Sequence, residues 1–291
     1  MIALAKILQN QQTVKDDITF SGIGLHSGKK ASVIIKPAKP NSGIKFIRTD
    51  FERNNIIDAL WHNVSSTNLS TTIANDKGVF VSTIEHLMSA LSGMHIDNAD
   101  ILIDGPEIPI MDGSSIPFVN LIEMTGITSQ SVKRKIIRVK KEVEVSKLDS
   151  YVKVIPNEEF SINFEIEFES HLINKQACQL QLVNGNYKSD VSSARTFGFE
   201  KDVNQLRSNG FALGGSLENA VVVGKENILN KEGLRFTDEF VRHKILDSIG
   251  DLYLAGGPVQ CYFYGSKSGH FLNNQLLRKL LSNESNYEII Q

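Results

Sequence analysis

The clearest pattern along the chain is an order of extended runs that recurs in its two halves. Residues 160–168 alternate apolar and polar positions without a break, as a half-buried strand does. Just before them, 151–157 is β-branched and stopped by Pro156. In the first half, a run over 31–38 stopped by Pro37 is likewise followed by an extended run over 44–48. Two later stretches change to a helical period. Over 82–91, Ile84, Leu87, Met88 and Leu91 fall at core spacing, and Gly93 supplies the stop. Over 237–254, Val241, Ile245, Ile249 and Leu252 form one stripe, and His243, Asp247 and Asp251 lie on the other side at i, i+4 and i+8. Between the halves, 126–135 is polar and aperiodic and reads as a linker. The pattern predicts an α+β protein of two similar domains, 1–130 and 131–291, each with a sheet packed on helices.

Composition narrows the class of function without naming one. The 291 residues are enough for two cores, and 41% hydrophobic with 22% charged residues is ordinary for a soluble globular chain. A formal charge of −2 gives no electrostatic footprint for nucleic acid. Cys178 and Cys261 have neither a thiolate-metal spacing nor a disulfide framework. The first ten residues lack the charged start and apolar run of a signal peptide, and no later stretch is long enough to span a bilayer, so a cytoplasmic protein without a transmembrane segment is expected.

The chemistry is concentrated in the two helical stretches. On a helix, His243 and Asp247 lie one above the other and can close on one ion. The first stretch adds a second imidazole, His86, with Glu85 beside it. Three N/O ligands with one open position form the pattern of a catalytic zinc, and an adjacent unliganded Glu suits a base. If each half contributes one island, the metal sits in the cleft between the domains. Each member has a bland alternative. Ser82 and Glu85 have the spacing of a capping box, and the His243/Asp247 pair matches a solvated helix face. The order also differs from His-Glu-x-x-His. His270, in a glycine-punctuated loop opening a final helix, is a candidate acid that Asp251 would orient and keep protonated. Lys244 and Arg195 read equally as phosphate clamps or salt-bridge partners.

With these residues placed, the chain resembles the UDP-3-O-acyl-N-acetylglucosamine deacetylases, the zinc amidases of lipid A biosynthesis. The resemblance covers nearly the whole length. It is carried by Gly22-Ile23-Gly24-Leu25-His26, Ser82-Thr83-Ile84-Glu85-His86, Pro106-Glu107-Ile108-Pro109-Ile110-Met111-Asp112-Gly113, Ala194-Arg195-Thr196-Phe197-Gly198-Phe199, Phe240-Val241-Arg242-His243-Lys244 with Asp247, and Ser268-Gly269-His270. It implies zinc held by His86, His243 and Asp247, Glu85 as general base, and His270 as the acid with Asp251 behind it. It also implies Thr196 as an oxyanion partner and Lys244 near the phosphates of a UDP-linked acylated amino sugar. The family's two sheets sandwich their helices, and a βαβ insert, here at about 197–223, encloses the acyl chain. Phe197, Val203, Leu206, Leu213 and Gly215 are the candidates for that passage, and Leu69 and Ser70 for a loop beside the substrate. Glu200 departs from the family's apolar lining. The 106–113 segment, with two prolines, reads as a rigid structural turn, and a monomer is expected. Two other readings remain open at this point: a zinc hydrolase of another amide, and a sugar-nucleotide or lipid-binding protein with a structural metal, in which Glu85 would have no role.

Overall fold

The computed structural model describes residues 10–182 and 185–291; the Met1–Gln9 segment weighed above for targeting features lies outside them. Two five-stranded sheets share one order and one set of directions. The first runs Ile18–Ile23, Lys30–Pro37, Ala99–Ile103, Ile44–Arg48, Ile56–Asp58; the second runs Val143–Lys147, Ser150–Ile155, Tyr262–Ser266, Ser161–Glu167, Lys175–Gln181. In each, only the third and fourth strands are parallel. The recurring proline-stopped run is the second strand of each sheet and the run after it is the fourth, so the similarity is three-dimensional as well as sequential. The alternating segment 161–167 buries Ile162, Phe164 and Ile166 on one face.

Among the described residues the α-helices are, in chain order, α1 Glu85–Gly93, α2 Ile116–Thr125, α3 Tyr187–Asp190, α4 Val203–Ser208, α5 Glu239–Tyr253 and α6 His270–Leu281. Helix α2 packs on the first sheet and on α1, α1 packs on α5, and α5 and α6 pack on the second sheet. The helices therefore form the layer through which the sheets meet, and the architecture is α+β. Phe46, Phe118, Phe164, Phe240 and Phe263 anchor a continuous apolar core. The α1–α5 contact is close because α5 carries Gly250 where the helices cross. A Cβ there would collide with the Glu85 carbonyl oxygen and stand 3.0 Å from Ser89 N.

The polar 126–135 segment is not a linker along its whole length. Ile127–Lys133 is a strand paired antiparallel with Asn10–Val14. Its polar character reflects hydrogen bonding: Gln130 accepts from Asn98 Nδ2 at 2.7 Å and donates to Ala38 O at 2.8 Å. A ribbon stabilised by amides leaves no apolar period to detect. In the 197–223 region, Phe197–Phe199 and Val221–Val223 pair in parallel with α4 between them. Cys178 and Cys261 are buried free thiols.

Candidate metal centre and the residues around it

The 82–91 stretch folds differently at its start from the expectation. Helix α1 begins at Glu85, its N-cap is Ile84, and no side chain caps it. Ser82 Oγ donates instead to Pro106 O at 3.1 Å. The Glu85 carboxylate, freed from capping, points inward and accepts the Thr71 N–H at Oε2, 3.0 Å away. The capping-box alternative is thereby corrected, because the chain turns at Thr83 before a helix can form.

Helix α5 brings its polar stripe to the same place. His86 Nε2 and His243 Nε2 stand 3.5 and 3.4 Å from Asp247 Oδ1, with the two rings edge to face at 5.0 Å. One ligand atom from each of the three residues lies within 4.8 Å of the others. His243 Nδ1 lies 3.1 Å from Ala194 O, which leaves Nε2 for a metal. Burial, opposed by Asp247, pushes the His243 pKa down to about 3, so the ring is neutral and ligand-ready. Burial alone would raise the Asp247 pKa, but with the Lys244 ammonium 2.6 Å away the carboxyl is held well below its ordinary value. Asp247 Oδ1 is buried and has no hydrogen-bond partner among the described residues. Such an oxygen facing two imidazole nitrogens fits a shared cation and little else.

The candidate acid and base, His270 and Glu85, are joined by residues that the sequence pattern did not single out. His270, the first residue of α6, places Nδ1 at 2.8 Å from Asp251 Oδ2 and Nε2 at 3.8 Å from Glu85 Oε1. Asp251 also accepts from Thr71 Oγ1 at 2.6 Å and Asn273 Nδ2 at 2.9 Å. Thr71 thus touches both carboxylates, with its amide on Glu85 and its hydroxyl on Asp251. Burial raises the Glu85 pKa against the opposing pull of His270 and His86. Asn273 lies three residues after His270 and Thr71 follows Ser70 directly, so each neighbours a candidate residue in the sequence, while its contacts reach distant segments.

The other predicted residues are distributed around this cluster. Lys244 Nζ lies 2.6 Å from Asp247 Oδ2. Thr196 is half-buried, its N–H donating to Gly113 O and its carbonyl accepting from Val221 N, both at 2.8 Å. Arg195 is decided in favour of the salt bridge: its Nε donates to Glu239 Oε1 at 2.9 Å, both side chains being buried. Phe197 packs edge-on against Phe240 and, at 6.3 Å, His243. Val203 and Leu206 are half-buried on α4, and Glu200 faces outward just before it. Leu213 is half-exposed and its N–H donates to His26 O at 3.1 Å; Gly215 lies beside Leu25. Leu69, at φ +63°, is half-exposed, whereas Ser70 is buried.

Comparison with known proteins decides the family. Residues 11–282 match the family described as UDP-3-O-acyl N-acetylglycosamine deacetylase. The chain belongs to this family. Proteins named UDP-3-O-acyl-N-acetylglucosamine deacetylase match it at 47% identity in Syntrophus aciditrophicus, over 95% of this chain and 88% of theirs. In Shewanella violacea the figures are 47%, 96% and 92%, and in Myxococcus xanthus 46%, 97% and 89%. As a member of this deacetylase family the chain is a hydrolase, and the step is one of lipid A biosynthesis. The family is one of metalloenzymes, and His86, His243 and Asp247 are the described residues grouped to hold an ion. No described helix is long and apolar enough to cross a membrane.

Proposed function

We propose that the chain hydrolyses the N-acetyl amide of a UDP-3-O-acyl-N-acetylglucosamine, with zinc held by His86, His243 and Asp247. The observation that carries this reading is the buried Asp247 Oδ1 between two imidazole nitrogens, with Glu85 next in sequence to one of them. His86, His243 and Asp247 would hold the zinc, whose chemistry there would be to polarise the acetyl carbonyl and to lower the pKa of a bound water toward neutral. A donor set of two imidazoles and one carboxylate is of the kind that catalytic zinc takes.

Glu85 takes a proton from the attacking water, its burial making it a stronger base than an exposed carboxylate. His270 delivers a proton to the departing sugar nitrogen and Asp251 holds its ring in place. The Thr196 hydroxyl donates to the developing oxyanion. Lys244, part-exposed beside Asp247, is the cation offered to the sugar-nucleotide phosphates. Phe197, Val203, Leu206, Leu213 and Gly215 line the acyl passage, and Leu69 and Ser70 border the sugar. The products are acetate and the UDP-linked 3-O-acyl-glucosamine. Residues 1–130 supply Glu85 and His86 together with Leu69 and Ser70, and residues 131–291 supply His243, Asp247 and His270, with 197–223 as the insert; the repeated sheet order supports that division. The enzyme works as a cytoplasmic monomer.

The test is one preparation of purified protein, assayed for metal content and for acetate release from the acylated UDP-sugar. One zinc per chain and stoichiometric acetate support the reading. Binding without acetate release would leave a sugar-nucleotide-binding protein instead.

A further inference from the structure

Thr83 stands at φ +56°, two residues before Glu85 and three before His86. A β-branched residue in the left-handed region is strained and persists only where its surroundings over-determine it. Thr83 is buried, and its Oγ1 donates to Glu107 Oε1 at 2.9 Å. Glu107 is itself buried and fixed: His26 N–H donates to Oε1 at 2.8 Å and Ser27 N–H to Oε2 at 2.7 Å. Its backbone is tied in as well, since Ser82 N–H donates to Pro106 O and Ile108 N–H to Ser82 O. A Cβ at Gly24 would run into the Glu107 carboxylate, so the 24–27 loop closes directly over it.

We propose that Thr83 and Glu107 are positioning residues for the catalytic pair. The hydroxyl–carboxylate bond holds the chain in a left-handed turn, which ends the extended segment at Ser82, delays α1 to Glu85, and aims Glu85 and His86 at the metal position. Glycine would make the same turn without strain. What threonine adds is the hydroxyl that locks the turn to a carboxylate already held by two backbone amides. The 106–113 segment, read from sequence as a rigid connection, thus acts on the reaction through Glu107. This inference rests on the roles given above to Glu85 and His86.

The experiment compares Thr83→Gly, Thr83→Ser and Glu107→Gln with the parent enzyme in kcat, KM, melting temperature and zinc dissociation constant. Thr83→Gly relieves strain and removes the lock, so its melting temperature stays within about 4 °C of the parent. Its kcat falls by about tenfold to a hundredfold at unchanged KM, and its zinc affinity weakens by about tenfold to a hundredfold. Thr83→Ser restores most of both. Glu107→Gln, which turns a donor toward a backbone N–H, loses kcat and zinc affinity like Thr83→Gly and decides the matter should the glycine variant not fold. Parental kcat and zinc affinity in Thr83→Gly or Glu107→Gln overturn the proposal, as does a serine variant no better than the glycine one. Activity surviving in Glu85→Gln would instead overturn the underlying catalytic assignment.

Discussion

His270 Nδ1 lies 2.8 Å from Asp251 Oδ2, and this contact sets the charge of the candidate acid. Burial alone would discharge the imidazole. The Asp251 carboxylate outweighs it, with Glu85 and Asp247 adding to the effect, and the pKa is held up at about 9. The acid form is therefore present below pH 9, and kcat/KM falls as pH rises through about 9. Asp251→Asn keeps the shape but removes the charge, so the basic limb moves toward the ordinary histidine value of about 6.5. A pH–rate profile of both proteins checks this; a basic limb that does not move contradicts it. The raised pKa also links to stability. That contribution is fully present below about 6.5 and is lost as pH rises through about 9, which denaturant midpoints at pH 6 and pH 10 measure.

Glu85→Gln preserves the side-chain volume and removes the base. Turnover drops by about a hundredfold to ten-thousandfold, the usual weight of general base catalysis, while the metal content measured on the same sample stays at the parental level.

Chelation abolishes acetate release, and added zinc restores it. Binding to the folded state alone also stabilises the protein by about 2.7 kcal/mol at a free zinc level about a hundred times Kd. A melting temperature that rises with zinc in the parent but not in His243→Ala identifies the site independently of activity.

Gly250→Ala places a methyl group against the Glu85 carbonyl oxygen in the α1–α5 crossing. Overpacking of this kind costs about 1–3 kcal/mol, and relief requires α1 to move with both Glu85 and His86. Stability from urea unfolding and kcat therefore fall together, in contrast to Glu85→Gln.

Arg195→Ala leaves Glu239 buried without its cation. Glu239 also accepts the backbone N–H of Arg195 and of Arg235, so the carboxylate cannot swing out to solvent. Breaking a buried pair costs about 3–5 kcal/mol. Ala194 O, next in the chain, orients His243, so the variant both unfolds at lower urea and binds zinc more weakly.

Local periodicity was sufficient for most elements and for the spacing of the candidate metal ligands on α5. The α5 stripes were legible because burial leaves a 3.6-residue trace, and the same spacing placed His243 over Asp247. The repeated sheets were legible because each proline-stopped run has a counterpart. The start of α1 was not, since Ser82 and Glu85 satisfy a capping pattern that the left-handed turn at Thr83 overrides. Nor was the strand at Ile127–Lys133, whose partner lies more than a hundred residues away.

The amino-acid sequence was enough for the fold class and the family, and its local patterns singled out His86, His243, Asp247, Glu85 and His270 as candidates on or beside helices. Which atoms meet follows from the folded chain alone. Thr71 joins Glu85 to Asp251, Ala194 O orients His243, Asn273 supports Asp251, and Glu107 locks Thr83. These are single hydrogen bonds between distant segments. Such contacts impose no period on the chain, and so they become visible only when the sheets and helices have brought their partners together.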